Sequence, residues 1–417
     1  MRDVTDVGDS VVETEAGIVM VSGGFPGESV RVRTEEQRAG VIRGSLLAVL
    51  TPSADRIESA CAIAARCGGC PLMGLSPDAQ RGVKRARVER ALQGLCAPGV
   101  ELCFEPAHAS LAYRRRARLA FRKLGQGGVL GYHAHGSKQI VDAAQCPILT
   151  PVLEAALSHV RRTLLPVLEG AGEIELDELG AEHVAVALRC ESAVSSTLYA
   201  AAEQLSAARP ITRVTLSVAG GATARYGEPE SARLGDDGLP FSAPAHGFSQ
   251  VNAQVNARLQ ALVLELAEAS AARVLELYAG HGNFTCGLAA QAAQLTAVEG
   301  EAAAVEACRA NLRARERVNA RVMVADVRTL PLREHYDVVV LDPPRGGCAE
   351  LSRLVAQSRA ARVVYISCHM TTLSRDLRAL QQAGFVVDRA HALDMFPQTG
   401  HVEAVVRMRK AASSRED

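Results

Sequence analysis

The sequence predicts a multidomain α/β protein that ends in a doubly wound, Rossmann-like sheet. Its 417 residues exceed what one ordinary hydrophobic core accommodates. From about residue 250 onward, short apolar runs typical of buried strands alternate with helical patterns. Before residue 55, in contrast, short valine-rich runs are broken by glycines. We therefore expect three domains, at residues 1–55, 56–245 and 246–417.

The third domain alternates between the two kinds of element, which predicts a parallel sheet with right-handed crossovers. The predicted strands are 273–278, 294–298, 321–324, 336–341 and 362–366. The predicted helices are 284–293, 302–315, 351–358 and 373–383. Ligands of such sheets bind outside the carboxyl ends of the strands. The residues that follow each strand are therefore the first candidates for function.

The two preceding domains carry weaker patterns. Residues 1–55 predict a small antiparallel, OB-like β-barrel, because strand-like runs alternate with turn residues every few positions. Residues 56–245 predict a mixed α+β domain. Within it we expect helices near 81–95 and 151–168 and a strand near 213–218.

Composition favours a soluble, cytoplasmic enzyme. Hydrophobic residues make up 48% of the chain and charged residues 22%, without an apolar run long enough to span a membrane. The start Met1-Arg2-Asp3 does not resemble a secretion signal, so we expect no membrane association. The 46 basic and 46 acidic residues cancel, which argues against a positive field over the whole molecule that would attract nucleic acid.

Basic residues nevertheless cluster in two runs, at 81–90 and at 113–123. The second run, Tyr-Arg-Arg-Arg-Ala-Arg-Leu-Ala-Phe-Arg-Lys, contains six basic residues, two aromatic residues and no acid. Such a run could follow phosphates while a ring stacks on an unpaired base. It could equally be a solvated face of a strand or helix, and the sequence leaves both interpretations open.

A glycine-rich turn follows the first strand of the third domain. Gly280 and Gly282 allow a tight turn and close approach of a ligand to the backbone. Glu299, at the end of the second strand, can accept hydrogen bonds from a ribose diol. The turn lacks the third glycine of a dinucleotide-binding loop, and Asp326 after the third strand could meet an adenine edge. This combination favours S-adenosylmethionine over a dinucleotide.

The fourth and fifth strands each end in a residue that could take part in a reaction. Asp342 is followed by Pro343 and Pro344, which stiffen the chain and present the carboxylate to the pocket. Cys368 ends the fifth strand and suits a covalent nucleophile, because a thiolate attacks readily and leaves readily. A single cysteine at a strand end is more often an apolar filler, so the assignment depends on a second motif.

That second motif is the polar, turn-rich stretch 394–403, which precedes a strand-like run at 404–407. Glu403 could act as the general base that removes a proton from the substrate. His401 could assist in that step, although a hydrogen bond that holds the turn is the favoured role for it.

Cysteines are unevenly distributed. There are eleven, an odd number, which argues against a disulfide framework in a chain without an export signal. Cys61, Cys67 and Cys70 lie within ten residues of one another, and Cys146 lies farther on before a proline. Four thiolates suit either a tetrahedral zinc ion or an iron–sulfur cluster. Spacing alone does not decide between the two.

Together these motifs resemble the RNA uracil-5 methyltransferases, in particular the iron–sulfur subgroup that acts on 23S ribosomal RNA. The run from Phe248 to Asn252 resembles the segment by which this family enters its catalytic domain. The resemblance implies a class I S-adenosylmethionine-dependent methyltransferase domain, a central domain with a [4Fe–4S] cluster and an N-terminal TRAM barrel. It places cofactor contacts at Gln250, Tyr278, Asn283, Glu299, Asp326 and Asp342. It places the cluster ligands at Cys61, Cys67, Cys70 and Cys146.

The same resemblance implies the reaction. Cys368 would add to C6 of a uracil, the activated C5 would take the methyl group, and Glu403 would remove the C5 proton. The implied partner is RNA, most simply ribosomal RNA, and the implied enzyme is a cytoplasmic monomer. This chain departs from the family in one respect, because His369-Met370 follows the nucleophile where the family usually has Asn-Pro.

Three alternatives remain open at this point. The chain could methylate another substrate, such as a cytosine or a small molecule. It could be an RNA-binding homologue whose catalysis has lapsed, an idea that the His369-Met370 pair motivates. A nicotinamide-dependent oxidoreductase is the third, and the missing third glycine argues against it.

Overall fold

The computed structural model describes residues 3–5, 7–14, 17–38, 41–125, 127–228, 233–235, 237–244, 247 and 249–411. Phe248 and both chain ends, which belong to the predicted domains, lie outside the described residues. No helix in these ranges is both long and apolar enough to cross a membrane.

The N-terminal segment forms a five-stranded sheet. Its strands are β1 Asp3–Val4, β2 Ser10–Thr14, β3 Gly17–Val21, β4 Ser29–Arg38 and β5 Val41–Thr51. They lie in the order β1-β2-β3-β5-β4, and all neighbours are antiparallel except β3 and β5. Val19 and Val21 of β3 are fully buried. The strands lie where the small barrel was predicted, and closure into a barrel stays a prediction.

The middle of the chain contributes three helices and ten strands to the described residues. The helices are α1 Pro77–Ala91, α2 Pro151–Thr163 and α3 Ser196–Ser206. The strands are β6 Leu102–Glu105, β7 Arg116–Leu124, β8 Gly127–His133, β9 Ile140–Asp142, β10 Ala171–Gly180, β11 His183–Cys190, β12 Ile211–Val218, β13 Ala224–Gly227, β14 Arg233–Leu234 and β15 Pro240–Phe241. Seven of them form one sheet in the order β13-β12-β11-β10-β7-β8-β9. Helices α2 and α3 pack on this sheet, which confirms a mixed α+β arrangement.

The last part of the chain contributes five helices and seven strands. The helices are α4 Ala253–Ala267, α5 Thr285–Gln291, α6 Ala302–Ala314, α7 Leu351–Ser358 and α8 Met370–Gln382. The strands are β16 Arg273–Leu277, β17 Gln294–Glu299, β18 Ala320–Val324, β19 Val338–Leu341, β20 Arg362–Ser367, β21 Phe385–Leu393 and β22 Glu403–Lys410. The alternation predicted from the sequence is confirmed, with boundaries shifted by a few residues.

These seven strands and β6 form one eight-stranded sheet in the order β18-β17-β16-β19-β20-β22-β21-β6. The first five strands of this order are parallel, and β22 runs antiparallel between β20 and β21. The sheet is therefore mixed rather than wholly parallel as expected. The reason is local, because β22 follows β21 through a loop too short for a crossover helix.

Helix α1 and strand β6 belong to this C-terminal sheet, although the sequence analysis assigned them to the middle domain. Strand β6 pairs in parallel with β21 at the edge of the sheet. Helix α1 packs against α8, with Val88 and Leu92 in the core on that face. The chain therefore crosses between the two sheets at least twice, and a single boundary near residue 245 does not describe it.

Apolar cores cover both faces of the C-terminal sheet. Every residue of β19, from Val338 to Leu341, is fully buried, which explains its unbroken apolar sequence. Because β16, β17, β19 and β20 run in parallel, their carboxyl ends meet along one edge of the sheet. That edge carries the candidate active site.

Candidate active site

Three polar side chains meet where neighbouring strands end. Asp342 follows β19, Cys368 follows β20, and Glu403 begins the antiparallel strand β22. The register pairs Ser367 of β20 with Ala404 of β22, so Cys368 comes opposite Glu403. Strand β19 is the other neighbour of β20. The fold therefore brings together the nucleophile, the base and one carboxylate that the sequence analysis selected.

No cation lowers the pKa of either carboxyl of this group. Burial raises the pKa of Glu403 well above its ordinary value, and the nearby Asp342 raises it further. Burial also raises the pKa of Asp342 to about 7. Burial, and then the carboxyls of Glu403 and Asp342, raise the pKa of the Cys368 thiol to about 11, while Arg345 opposes this shift. Such a pocket favours entry of a positive charge and transfer of protons.

His369 and Met370 begin helix α8. The ring nitrogen Nδ1 of His369 caps the helix by accepting a hydrogen bond from the Thr372 N–H at 3.4 Å. Burial, and then Arg345 and Arg87, lower the pKa of His369, which keeps this nitrogen an acceptor. Asparagine is a preferred capping residue and proline is favoured at the next position. The departure from Asn-Pro thus exchanges one cap for another and preserves the start of α8.

His401 is held in the loop that precedes Glu403. Its Nε2 lies 3.2 Å from Nη2 of Arg345, and because an arginine only donates, the imidazole accepts. Burial and then Arg345 lower the pKa of His401 to about 4. A neutral acceptor at physiological pH agrees with the hydrogen-bonding role that the sequence favours for this residue.

The glycine-rich turn after β16 opens toward the same edge. Tyr278, Gly280 and Gly282 have left-handed φ angles of 61°, 56° and 101°. The Gly280 N–H donates to Oε2 of Glu299 at 2.9 Å, and the Glu301 N–H donates to Oε1 at 2.9 Å. A Cβ added at Gly280 would meet no atom within 4 Å. The turn therefore leaves open space beside a carboxylate held in place by two backbone groups.

An orphaned acceptor lies next to this turn. Gln250 is buried, and its Oε1 has no hydrogen-bond partner within the described residues. Oγ of Ser249 is also buried and has no hydrogen-bond partner within the described residues. Gln250 and Asn283 line one cavity of about 200 Å³. Because an unmet buried acceptor is costly, Gln250 fits a position that a ligand completes.

Two other predicted cofactor residues are already engaged. Oδ1 of Asn283 accepts from Asn256 and from Gln260, both at 3.0 Å, and Nδ2 donates to Asn256 at 3.1 Å. Both carboxylate oxygens of Asp326 accept from the Arg328 guanidinium at 2.7 to 3.0 Å. Asn283 therefore retains one free amide hydrogen, and Asp326 meets an adenine only if Arg328 moves aside.

The sequence analysis missed Glu276. It lies in the middle of β16 with 1% exposure, and neither carboxyl oxygen has a hydrogen-bond partner in the described structure. Burial raises its pKa to about 8, and Asp342 and Glu299 add to the shift. The available signal was a charged residue inside an apolar strand, which is rarely tolerated without function.

The four cysteines selected from the sequence lie near one another. Burial raises the pKa of Cys70 to about 12, and the thiols of Cys146 and Cys67 contribute to the shift. Cys61 raises the pKa of Cys146 in the same way. We call these four residues the cysteine centre. Met73, Tyr113 and Ile148 form the small core beside it.

Each basic run has members that serve the interior of the protein, such as the buried Lys84 and Arg87 of the first run. In β7, Arg116 pairs with Glu175 of β10, and Arg118 with the same residue at 3.4 Å. The aromatic residues of the second run, Tyr113 and Phe121, are buried. These two buried rings are not available to stack on a base. Arg118 and Arg122 are exposed, so contact of this run with phosphates stays a prediction.

A sequence profile described as tRNA (uracil-5-)-methyltransferase matches residues 229–411. The 23S rRNA (uracil(1939)-C(5))-methyltransferase RlmD of Chromohalobacter salexigens is 35% identical, covering 96% of this chain and 87% of the relative. The RlmD of Pseudomonas entomophila is 36% identical, covering 95% of this chain and 90% of the relative.

Among solved structures, the tRNA (uracil-54, C5)-methyltransferase of Pyrococcus abyssi in complex with S-adenosyl-L-homocysteine has the same fold. The TM-score is 0.72 at 24% identity, over 98% of this chain and 99% of that chain. The sequence relatives extend over nearly the whole length of the protein. The chain therefore belongs to the RNA uracil-5 methyltransferase family.

Proposed function

We propose that this protein transfers a methyl group from S-adenosylmethionine to C5 of a uridine in 23S ribosomal RNA. One observation carries the proposal: Cys368, Glu403 and Asp342 meet at adjacent strand ends with their charges uncompensated. A nucleophile and a proton acceptor on the same edge are what C5 methylation of a uracil requires. Membership in the family supplies the reaction class.

S-adenosylmethionine fits the residues beside this edge, and it supplies a methyl group on a positively charged sulfonium. Gln250 offers an unmet buried acceptor, and Glu299 offers carboxylate oxygens suited to a ribose diol. Glu276 and Asp342 are buried acids that favour a nearby cation. Tyr278 and Asn283 border the same turn.

In the proposed reaction, Cys368 gives its thiol proton to solvent, and Sγ as a thiolate forms a bond to C6 of the uracil. The electron pair of the C5=C6 bond moves onto the O4 side of the ring, which makes C5 nucleophilic. C5 then forms a bond to the methyl carbon as the bond between that carbon and the sulfonium sulfur breaks, which leaves a neutral thioether. Glu403 then takes the proton from C5, and the C6–S bond breaks to restore the ring and the thiolate. A carboxylate with a raised pKa is the stronger base for that last step.

For the cysteine centre we propose a [4Fe–4S] cluster held by Cys61, Cys67, Cys70 and Cys146. Among the described residues, no three of these sulfur atoms lie within 4.8 Å of one another. A single tetrahedral zinc ion, with Zn–S bonds of about 2.3 Å, would draw its sulfur ligands closer than that. Cys67→Ser should abolish visible absorbance of anaerobically purified protein, and an unchanged spectrum would contradict the cluster.

Domain roles follow from the same proposal. The sheet of residues 3–51 would be the TRAM barrel, and together with the seven-stranded sheet it would contact RNA. The C-terminal sheet, extended by α1 and β6, would carry the chemistry.

The experiment incubates anaerobically purified protein with methyl-labelled S-adenosylmethionine and unmodified 23S ribosomal RNA, then digests the RNA to nucleosides. We expect label in 5-methyluridine and in a single RNA segment. Label in 5-methylcytidine would assign a different base. Cofactor binding without any label would reject the proposed reaction on this RNA.

A further inference from the structure

The loop between β21 and β22, residues 394–402, ends one residue before Glu403. We call it the base loop. It is almost entirely buried, with Met395 fully enclosed, although it is neither helix nor strand. Gln398 adopts a left-handed φ of 70°, which an ordinary side chain adopts only when its surroundings impose it. The shape of the base loop must therefore come from contacts outside it.

Lys84 of helix α1 supplies the strongest of these contacts. Its side chain is completely buried, and its ammonium lies 2.5 Å from Oδ1 of Asp394. The same ammonium donates to the carbonyl of Phe396 at 3.0 Å. A lysine buried in this way has given up its hydration, and it holds the base loop at its beginning and at its third residue.

Two further residues of α1 hold the rest of the loop. The Gln80 amide donates to Oε1 of Gln398 at 2.9 Å and accepts from the Gln398 N–H at 3.0 Å. Gln398 is the residue in the left-handed conformation, so this reciprocal pair imposes the unusual backbone. Arg87 donates to the carbonyl of Gly400. Together with Lys84, these contacts reach four positions between residues 394 and 400.

Two further contacts come from beside the cysteine centre. The Tyr113 hydroxyl donates to the carbonyl of Pro397 at 3.0 Å. The Leu72 N–H donates to the carbonyl of Gln398 at 3.0 Å. Leu72 lies two residues after Cys70, and Tyr113 packs in the core beside Cys70 and Cys146. The base loop is thus held between α1 and the cysteine centre.

Glu403 itself contrasts with the loop that carries it. Within the described part of the chain, no hydrogen bond to its carboxyl is found, although the residue is only 3% exposed. Its position must come from the backbone on either side, which is β22 after it and the base loop before it.

We propose that Lys84, with Gln80 and Tyr113, forms a set of positioning residues that aim Glu403 at the C5 proton. The inference rests on the proposed role of Glu403 as the proton acceptor. It assigns a function to the buried polar face of α1 and gives the cysteine centre a mechanical connection to catalysis through Tyr113 and Leu72. It predicts that loosening the base loop slows the last step of the reaction and spares the earlier ones.

The test compares Lys84→Met with Glu403→Gln in single-turnover reactions on 23S ribosomal RNA. Methionine keeps the length of the lysine stem and removes the ammonium. Because displacement of a reacting group by about 1 Å can cost about a hundredfold, we expect turnover to fall by about ten- to a hundredfold. A methylated, SDS-resistant protein–RNA adduct should accumulate as in Glu403→Gln, while the affinity for S-adenosylmethionine stays within about twofold.

Arg85→Met is the matched control. Arg85 follows the buried Lys84 in the chain, but its own side chain is exposed and pairs with Glu89. It should leave turnover and adduct level unchanged. If Lys84→Met does not fold, Tyr113→Phe removes one hydroxyl from the same loop and should give a smaller rise in adduct. Lys84→Arg keeps the cation, and a return of the adduct to its low native level in this variant would support the same conclusion.

The outcomes separate the two proposals. If Glu403→Gln accumulates adduct and neither Lys84→Met nor Tyr113→Phe does, the positioning role is overturned. If Glu403→Gln itself accumulates none, the proposed role of Glu403 fails first, whatever the other variants do. A loss of cofactor affinity in parallel with turnover in Lys84→Met would show a general structural role and would also overturn the inference.

Discussion

Two buried charged residues of β22, one at its start and one in its middle, are in opposite conditions. Glu403 at the start of the strand and Arg407 four residues later are 3% and 4% exposed. Arg407 donates to both oxygens of Asp388 at 2.9 Å and to Glu268 at 2.6 Å. Glu403 has no such partner among the described residues; the nearby carboxyl of Asp342 raises its pKa further, and Glu403 in turn raises the pKa of the Cys368 thiol.

The difference separates a structural charge from a chemical one. A buried ion stays in a folded protein when other groups compensate its lost hydration, and Arg407 is compensated. A buried carboxyl without a partner is destabilised when it is ionised, so its pKa is raised. Such a group is useful only if a substrate or cofactor later supplies the missing partner. We infer that pairing, more than burial, distinguishes the active-site edge from the rest of the sheet.

The largest expected effect is that of Cys368→Ala. Without the thiol no covalent bond to C6 can form, so methyl transfer should fall by about a thousandfold or more. Cofactor affinity should stay within about twofold, because the methyl side chain removes no cofactor contact proposed here. Transfer of label from S-adenosylmethionine to RNA measures the first quantity and calorimetry the second. Cys103→Ala, at an exposed cysteine outside the site, is the control.

Glu403→Gln tests the unpaired charge of β22. Product release should slow by about a hundred- to ten thousandfold, the usual contribution of a general base. In the native protein the release rate should rise with pH through the raised pKa of Glu403, because only the ionised carboxyl accepts a proton. The glutamine variant should lose that dependence. A pH profile unchanged by the substitution would remove Glu403 from the mechanism.

Glu403→Gln should slow the reaction without lowering the stability of the fold. A carboxyl whose pKa is raised on folding weakens the fold as pH rises above its unfolded value. Glutamine abolishes that penalty, so the melting temperature of Glu403→Gln at neutral pH should not be lower than that of the native protein. A marked fall would place Glu403 among the structural charges and contradict the comparison.

The sequence predicts the edge of the sheet better than it predicts what supports it. Apolar runs such as 338–341 identify buried strands, and the residues that follow them therefore identify Asp342 and Cys368. Lys84, in contrast, belongs to a run that looks like a solvated basic helix. Its partner Asp394 lies 310 positions away in the chain. Local pattern contains no information about such a pair, so both α1 and β6 were assigned to the wrong unit.

Arg407→Met tests the ion-paired charge of β22. Removing one partner from a fully buried ion pair costs about 3–5 kcal/mol, but Glu268 and Asp388 are partly exposed and solvent would compensate them. We expect a loss of about 2 kcal/mol, seen as a lower midpoint of thermal unfolding. The methylation rate per folded molecule should be unchanged, because Arg407 pairs with Asp388 and Glu268 and not with the active-site residues. A large fall in that rate would show that the two charges are not independent.

The cofactor residues show the same limit of prediction. Glu299 and Gln250, predicted as cofactor contacts, do lie beside the glycine turn, and their role stays a prediction. The sequence could not indicate that α4 already occupies the acceptor of Asn283, since Asn256 and Gln260 are 27 and 23 positions away. Glu276 was overlooked because a single acid within a strand was taken as part of the strand.

The smallest expected effect concerns Asp326, whose carboxylate is bound by Arg328 on the protein surface. Exposed pairs contribute little to stability, so Arg328→Ala should not change the melting temperature. If Asp326 contacts the adenine, however, Arg328 competes with the cofactor, and its removal should tighten cofactor binding by about two- to threefold. Asp326→Ala should weaken binding by a similar factor, and the double variant should resemble Asp326→Ala. If Arg328→Ala weakens binding instead, the arginine itself contacts the cofactor, and this exposed pair belongs to the binding site as a unit.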